Sequence, residues 1–281
     1  MADRLASLLG NFAMNARIFH AGALCGINDL PAQEGMGQLH LIRAGAVDVM
    51  HDGSTVAHVT EPSLLFYPLP MAHRFRTDPE RGADFVCAHI AFEGGAGNPI
   101  ATALPPFICR PLSALEGVEP ILNLLFAEAF AQHCGRDAVL DRLFEIVLIQ
   151  VLRNLMEDGS IRVGMLAGMG HPRLRLALVA MHEQPAHAWS LEELAAQAGM
   201  SRSVFANTFR DRVGCTPGVY LQRWRIGLAQ RALLQGRPLK LIAIEVGYGS
   251  EAAFSRAFKA SYGVSPRQWQ GERQGSAMAA R

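Results

Sequence analysis

The stretch Ser201–Tyr220, SRSVFANTFRDRVGCTPGVY, decides the reading of this chain, because Ser250–Trp269, SEAAFSRAFKASYGVSPRQW, writes it again. Phe205 returns as Phe254, Phe209 as Phe258, Gly214 as Gly263 and Pro217 as Pro266, each pair 49 positions apart. Recurrence at a fixed offset marks a duplicated supersecondary unit. Upstream the match continues with a one-residue slip: Ala195 and Gly199 pair with Ala243 and Gly247, 48 positions apart.

Each copy reads as helix, tight turn, helix. Ser190 followed by Glu193 is a capping box, opening a helix with Leu191, Leu194, Ala195 and Ala198 on its apolar face. Gly199 supplies the left-handed residue that ends it, and Ser201 is expected to cap the next helix. There Val204, Phe205, Thr208 and Phe209 are expected to face inward, leaving Arg202, Ser203, Ala206, Asn207 and Arg210 outside. In the second copy Ala253, Phe254, Ala257 and Phe258 point inward, while Glu251, Ala252, Ser255, Arg256 and Lys259 face out. Short, polar and cationic side chains on an exposed helix after a tight turn suit the DNA major groove. A plain helical hairpin with a solvated face gives the same pattern in one copy. The duplication, the paired serines and the charge distribution select the DNA-binding reading.

The charges are unevenly placed. Residues 171–281 carry 15 Lys+Arg against 7 Asp+Glu, a net of +8, whereas residues 1–170 carry 11 against 18, a net of −7. That asymmetry separates a phosphate-facing part from a part kept off DNA. The chain's 281 residues accommodate two domains, each with its own core. No apolar run approaches the roughly 18 residues of a membrane span. Near the start, Asn11 and Asn15 interrupt the apolar run an export signal needs, and Leu5, Leu8, Leu9 and Phe12 instead predict a short amphipathic helix. Cys25, Cys87, Cys109, Cys134 and Cys215 form an odd, scattered set, unlike a secreted disulfide framework, so a cytoplasmic location is expected.

Between Arg17 and about Arg110 the pattern changes to short strands and turns. Leu39–Ile42, Ala46–Met50, Thr55–Val59, Leu64–Tyr67 and Phe85–Phe92 read as strands, divided by Gly35-Met36-Gly37, His51-Asp52-Gly53, Glu61-Pro62 and Asp78-Pro79. Strands at this frequency predict a small antiparallel barrel or sandwich. After Pro106 the chain turns helical, over Ile121–Ala131 and Asp137–Met156. The second helix has a broad stripe of Leu140, Leu143, Phe144, Val147, Val151 and Leu155, part of which is expected to meet another subunit. From Asp158 to Gly170 four glycines (Gly159, Gly164, Gly168, Gly170) suggest a flexible tether.

Gly247-Tyr248-Gly249-Ser250, Phe254-Ser255-Arg256-Ala257-Phe258-Lys259, Gly263 and Ser265-Pro266 closely resemble the C-terminal signature of the AraC/XylS family of transcription factors. The resemblance covers about residues 172–270 and implies two helix-turn-helix units joined by a long helix, here Val219–Leu234. Carried over by position, the family's base contacts fall on Ser203, Ala206 and Asn207, and on Glu251, Ala252, Ser255 and Arg256. Ala206 and Ala252 reach no further than a thymine methyl. The implied partners are promoter DNA, RNA polymerase and a second copy of the chain.

Pro68-Leu69-Pro70-Met71-Ala72-His73-Arg74-Phe75 resembles the second conserved motif of cupin barrels, and His40 sits where the first motif places a histidine. The rest of that first motif is missing: position 42 is Ile42 and no acid follows nearby. His40 and His73 are therefore expected to be ligand-pocket or hydrogen-bonded core residues, with no metal and no cofactor. A cupin metalloenzyme fused to a helical domain is the alternative, and the incomplete motif disfavours it. A DNA-repair or architectural role lacks both a nucleophile constellation and a base-flipping wedge. Ala23-Leu24-Cys25-Gly26, Leu39-His40, Ala72-His73-Arg74, Val86-Cys87-Ala88 and Asn98–Pro106 resemble the cupin-type sensor of one branch of the regulator family, which includes activators responding to reactive chlorine species. Cys25 and Cys87 sit where that branch carries its own cysteines. The resemblance implies redox sensing: barrel closure brings the two together, and oxidation of one thiolate leads to a disulfide with the other.

The expected fold class is α+β. A cupin-like antiparallel β-barrel with dimerisation helices spans 1–157, a linker 158–170, and an all-α tandem helix-turn-helix domain 171–281.

Overall fold

A computed structural model describes residues 3–95 and 98–279, with side chains as far as Arg273. Positions 1, 2, 96, 97, 280 and 281 of the expected domains lie outside the described residues. The elements run α1 (Ala6–Asn11), β1 (Met14–Leu24), β2 (Ile27–Leu30), β3 (Met36–Ala44), β4 (Val47–His51), β5 (Ser54–Val59), β6 (Ser63–Tyr67), β7 (His73–Thr77), β8 (Ala83–Phe92), α2 (Pro99–Ala103) and β9 (Ile108–Pro111). Then follow α3 (Glu119–Ala129), α4 (Arg136–Glu157), α5 (Met165–Gly170), α6 (Leu174–Glu183), α7 (Leu191–Gln197), α8 (Arg202–Val213), α9 (Pro217–Leu234), α10 (Leu239–Glu245), α11 (Glu251–Tyr262) and α12 (Pro266–Ala279). Two compact units result: Ala13–Ile161, and Met1–Phe12 together with Arg162–Arg281.

In the first unit every strand pairing is antiparallel. Among the described residues the strands form two sheets, β1-β8-β3-β6-β9 and β2-β7-β4-β5. No ladder joins one sheet to the other, so the expected barrel is not closed. Ile42, Val49, Leu65, Tyr67, Phe75, Phe85 and Cys87 form one buried cluster drawn from both sheets. Asp52 and Gly53, at φ +47° and +80°, give β4 and β5 the tight turn whose twist suits a hairpin. The edge strand β1 is covered rather than bare. Its Ala16 and Ile18 N–H groups donate to Glu145 (3.3 Å) and Asp141 (2.7 Å) on α4. This contact turns the stripe of α4 inward: Leu143 is 6% exposed and Val147 0%. Those two side chains belong to the domain core, not to the expected subunit seam. The outward side of α4 instead carries Val139 and Ile146, 40% and 42% exposed.

The second unit differs from expectation at two places. Residues 3–12 pack with the helical residues: Leu8 is fully buried, and Phe12 sits edge-on to Trp224 at 5.1 Å. That ring lies against Gly227, where an added Cβ would stand 3.4 Å away, at ordinary contact distance. The Arg231 guanidinium donates to the Gly10 carbonyl at 3.2 Å. The glycine-rich segment is also only partly a tether. Met165–Gly170 is helical, and Leu166 and Met169 are fully buried. A Cβ on Gly168 would stand 2.8 Å from both Leu178 and Val213, so this glycine serves close packing, not flexibility. Among the described residues no helix is long and apolar enough to cross a membrane.

Candidate nucleic-acid interface and sensor core

The two helix-turn-helix units share their buried phenylalanines but not their caps. Ser190 and Glu193 form the capping box of α7: the Ser190 hydroxyl accepts from Glu193 N–H, and the Glu193 carboxylate accepts from Ser190 N–H. The caps of the second helices differ between copies. Ser250 accepts from Ala253 N–H at 3.1 Å, whereas the Ser201 side chain makes no cap bond, contrary to expectation. Beneath the outer faces, Phe205 stands 5.5 Å from Phe209, and Phe254 stands 5.8 Å from Phe258, all four fully buried. The duplication visible in the sequence is thus a duplication of core geometry. The connector α9 has 18 residues, about 27 Å at 1.5 Å per residue.

The outer faces follow from that burial. On α8 Arg202, Ser203, Val204, Asn207, Arg210, Asp211 and Arg212 are exposed, with Ala206 half-buried. Val204 is 50% exposed, which corrects its inward assignment. One residue turns 100° on a helix, so Val204 lies 60° from Asn207 and 160° from Ala206. Ala206 and Arg210 instead line a cleft of about 320 Å³ with Trp189, Leu191, Leu194 and Leu221. Arg202 is engaged by Glu192 at 3.0 Å, so of the expected contacts Ser203 and Asn207 are directed outward, with Arg210 at the cleft. On α11 Glu251, Ala252, Arg256 and Lys259 are exposed and Ser255 is half-buried. Exposed side chains of both signs follow the helix dipole, with Glu251 in the first turn and Lys259 in the last.

The histidines of the sheet unit are core residues. His40 is 0% and His73 5% exposed, and their Nε2 atoms lie 3.0 Å apart. Burial, opposed by the hydrogen bond to the Met71 carbonyl, holds His73 down at about 4. Burial, reinforced by His73, His89 and His20, lowers His40 as well. Both rings are therefore neutral near pH 7, and the tautomers follow. His73 Nδ1–H donates to the Met71 carbonyl at 2.9 Å, so its Nε2 accepts from His40 Nε2–H. That leaves His40 Nδ1 as a buried lone pair with no partner. Tyr67 stacks on His73 at 4.0 Å, and Phe75 lies 5.0 Å from His40, so aromatic carbon surrounds the pair. Among the described residues no third histidine, cysteine or carboxylate completes a metal-binding group. The donor set falls short of the three protein ligands of a catalytic metal site.

Cys25 and Cys87 are not brought together. The β1–β8 register sets Leu24 opposite Ala83 and His20 opposite Cys87, so Cys25 falls beside Gly82, five residues or roughly 16 Å along β8 from Cys87. A Cβ on Gly82 would come 2.6 Å from the Cys25 Sγ. Cys25 is exposed, while Cys87 is fully buried and its thiol is pushed far up by burial.

A Cupin family model matches residues 3–157, and a Helix-turn-helix domain model matches residues 194–272. The probable transcriptional regulator LumQ of Photobacterium leiognathi is 35% identical over 192 residues, 64% of this chain and 74% of that protein. The chain belongs to the AraC-type family of helix-turn-helix transcription regulators. The putative AraC-like transcription regulator of Streptomyces antibioticus is 41% identical over 58% of this regulator and 55% of that protein. The regulator spans about half the length of several curated relatives that it matches. It is 27% identical to the RCS-specific HTH-type transcriptional activator RclR of Escherichia coli (strain K12), over 86% of this chain and 88% of that one. The crystal structure of a DNA-binding transcriptional dual regulator from Escherichia coli K-12 matches 37% of the regulator and 92% of that chain, at 28% identity and a TM-score of 0.33.

Sequence reasoning missed Arg225 in this regulator. It lies on the connector, and nothing in the local pattern separates it from Arg223. Only the fold shows that its guanidinium is drawn inward, to the carbonyls of Pro185 (2.6 Å) and His187 (2.8 Å).

Proposed function

We propose that this chain is a one-component transcription regulator that binds promoter DNA through α8 and α11. The sheet unit is the part that perceives a signal. The observation that carries the reading is the duplicated unit itself: two recognition helices with matching buried phenylalanines, joined by one connector, on the basic part of the chain. Two such helices enter successive major-groove segments about 10 bp apart on one face of the duplex. Ser203, Asn207, Ala252 and Arg256 face the bases, and Arg210 and Lys259 face phosphates. Arg256 has the fork geometry for guanine, and its replacement by alanine should cost about 1–3 kcal/mol at one base pair.

Homodimerisation is part of the proposal. Val139 and Ile146, seven residues apart on the outer side of α4, support a helix seam between two copies. RNA polymerase is the downstream partner and the cytoplasm the place of action. Cys25, exposed where Cys87 is buried, is the member of that pair open to oxidant chemistry. Nuclease footprinting on DNA selected from random sequence tests the reading. The expected footprint extends over two helical turns, with Arg256→Ala relaxing the sequence at one position only. Uniform weakening on every sequence would make Arg256 a phosphate anchor, and a footprint of a single turn would remove the tandem model.

A further inference from the structure

Arg225 projects from the middle of α9, the helix between the two DNA-reading units. On one side its Nε and Nη2 groups donate to the carbonyls of Pro185 (2.6 Å) and His187 (2.8 Å), in the loop that enters the first unit. On the other side it meets the turn of the second unit. A Cβ built on Gly247 would stand 2.9 Å from Arg225 Nη2, and the guanidinium carbon lies 6.0 Å from the Tyr248 ring centre. The two units also touch directly there. The same Gly247 Cβ would stand 2.7 Å from Ala186 Cα and 2.8 Å from its carbonyl oxygen. Gly247 has φ +83°, so the turn demands glycine both for its backbone and for this approach. Burial lowers the Arg225 pKa, and the neighbouring Tyr248 opposes that shift.

We propose that Arg225 is a positioning residue that locks the two helix-turn-helix units at one separation, so that the protein reads the spacing between its two DNA boxes as strictly as their sequences. The argument rests on the DNA-binding reading above and adds a length measurement to it. A connector helix alone fixes the distance between units but leaves each free to pivot about its ends. A planar fork held by two carbonyls of the first unit and seated on the turn of the second removes that freedom. Lysine offers a point charge on a flexible stem and cannot satisfy both carbonyls in the same plane.

The test uses the full chain and an operator selected from random DNA by the wild-type protein. A second duplex carries one extra base pair between the boxes, which displaces the distal box by about 3.4 Å and 34°. Wild-type protein should lose on the order of 100-fold in affinity, the contacts of one box being misplaced. Arg225→Ala and Arg225→Lys should bind the original operator more weakly, yet lose only a few-fold on the lengthened one. Titration of active protein keeps a folding defect out of the comparison, since a smaller competent fraction scales both affinities equally. Tyr248→Leu, which leaves the carbonyl contacts in place, should relax the spacing preference by less. An unchanged ratio of the two affinities in Arg225→Ala and Arg225→Lys would overturn the proposal. Failure of the wild type to select any operator would instead overturn the DNA-binding reading on which it rests.

Discussion

At the scale of single residues, the buried imidazoles make the sheet unit sensitive to acid. His73 is held at about 4 in the folded chain, against about 6.5 when unfolded, so between those values the unfolded chain binds the extra proton. Its stabilising contribution is complete above about pH 6.5, falls as the pH drops toward 4 and levels off below that. Between pH 7 and pH 5 the loss amounts to about 2 kcal/mol, and His40 acts in the same direction. Hydrogen exchange of β3 and β7 amides, corrected for intrinsic rates, should show opening become easier by that amount, and His73→Gln should flatten the dependence. An equal slope in the variant would assign the acid sensitivity to other groups. The cysteines give a second expectation. A thiol reagent applied to native protein should label Cys25 and leave Cys87 untouched until the unit unfolds, as peptide mass mapping would report. Cys25 just beyond β1 and Cys87 within β8 also mean that a bond between them requires those strands to part, because bridged Cα atoms lie within about 7 Å.

Elements show where pattern reading succeeds and where it stops. Charge placed on the outer side of α4, Val139→Glu with Ile146→Glu, should yield folded monomers by sedimentation with an unaltered circular dichroism spectrum. Leu143→Glu or Val147→Glu should give insoluble protein, since each places a charge in the core without a partner. The long stripe of α4 was legible, but not which part of it faces β1, because that depends on Asp141 and Glu145 meeting the strand edge more than 120 positions away. Strands written as near-continuous apolar runs between turn residues, such as β3 and β8, were legible too. β1 was not, since much of it is half-buried and shows no clean period. β7 alternates well, with His73, Phe75 and Thr77 in and Arg74 and Arg76 out, but its residues were absorbed into a motif. The recognition helices were almost fully legible because their phenylalanines announce the buried side twice. Val204 escaped because a valine beside a phenylalanine reads as core when only hydropathy is weighed.

On the scale of the whole molecule, the sheet unit is an insertion between Phe12 and Arg162 of the helical unit. The helical unit therefore does not begin at residue 171. A fragment 171–281 lacks α5 and α1, and a fragment 162–281 still lacks the burial of Leu8 and Phe12, worth about 1.5–3 kcal/mol each. Melting followed by the fluorescence of Trp189, Trp224 and Trp269 should rank 171–281 below 162–281. A peptide of residues 3–12 added in trans should raise the midpoint of the longer fragment. If the peptide has no effect, α1 is dispensable for the helical unit. The docking of α1 also has a consequence during biosynthesis. The carbonyl of Gly10 waits for Arg231, 221 positions later, which a ribosome reaches roughly 10–45 s afterwards at 5–20 residues per second. Through that interval the sheet unit has time to fold while Leu8 and Phe12 remain without their partners. A nascent chain therefore acquires its sheet unit first, and its helical unit closes last, once the connector helix has left the exit tunnel.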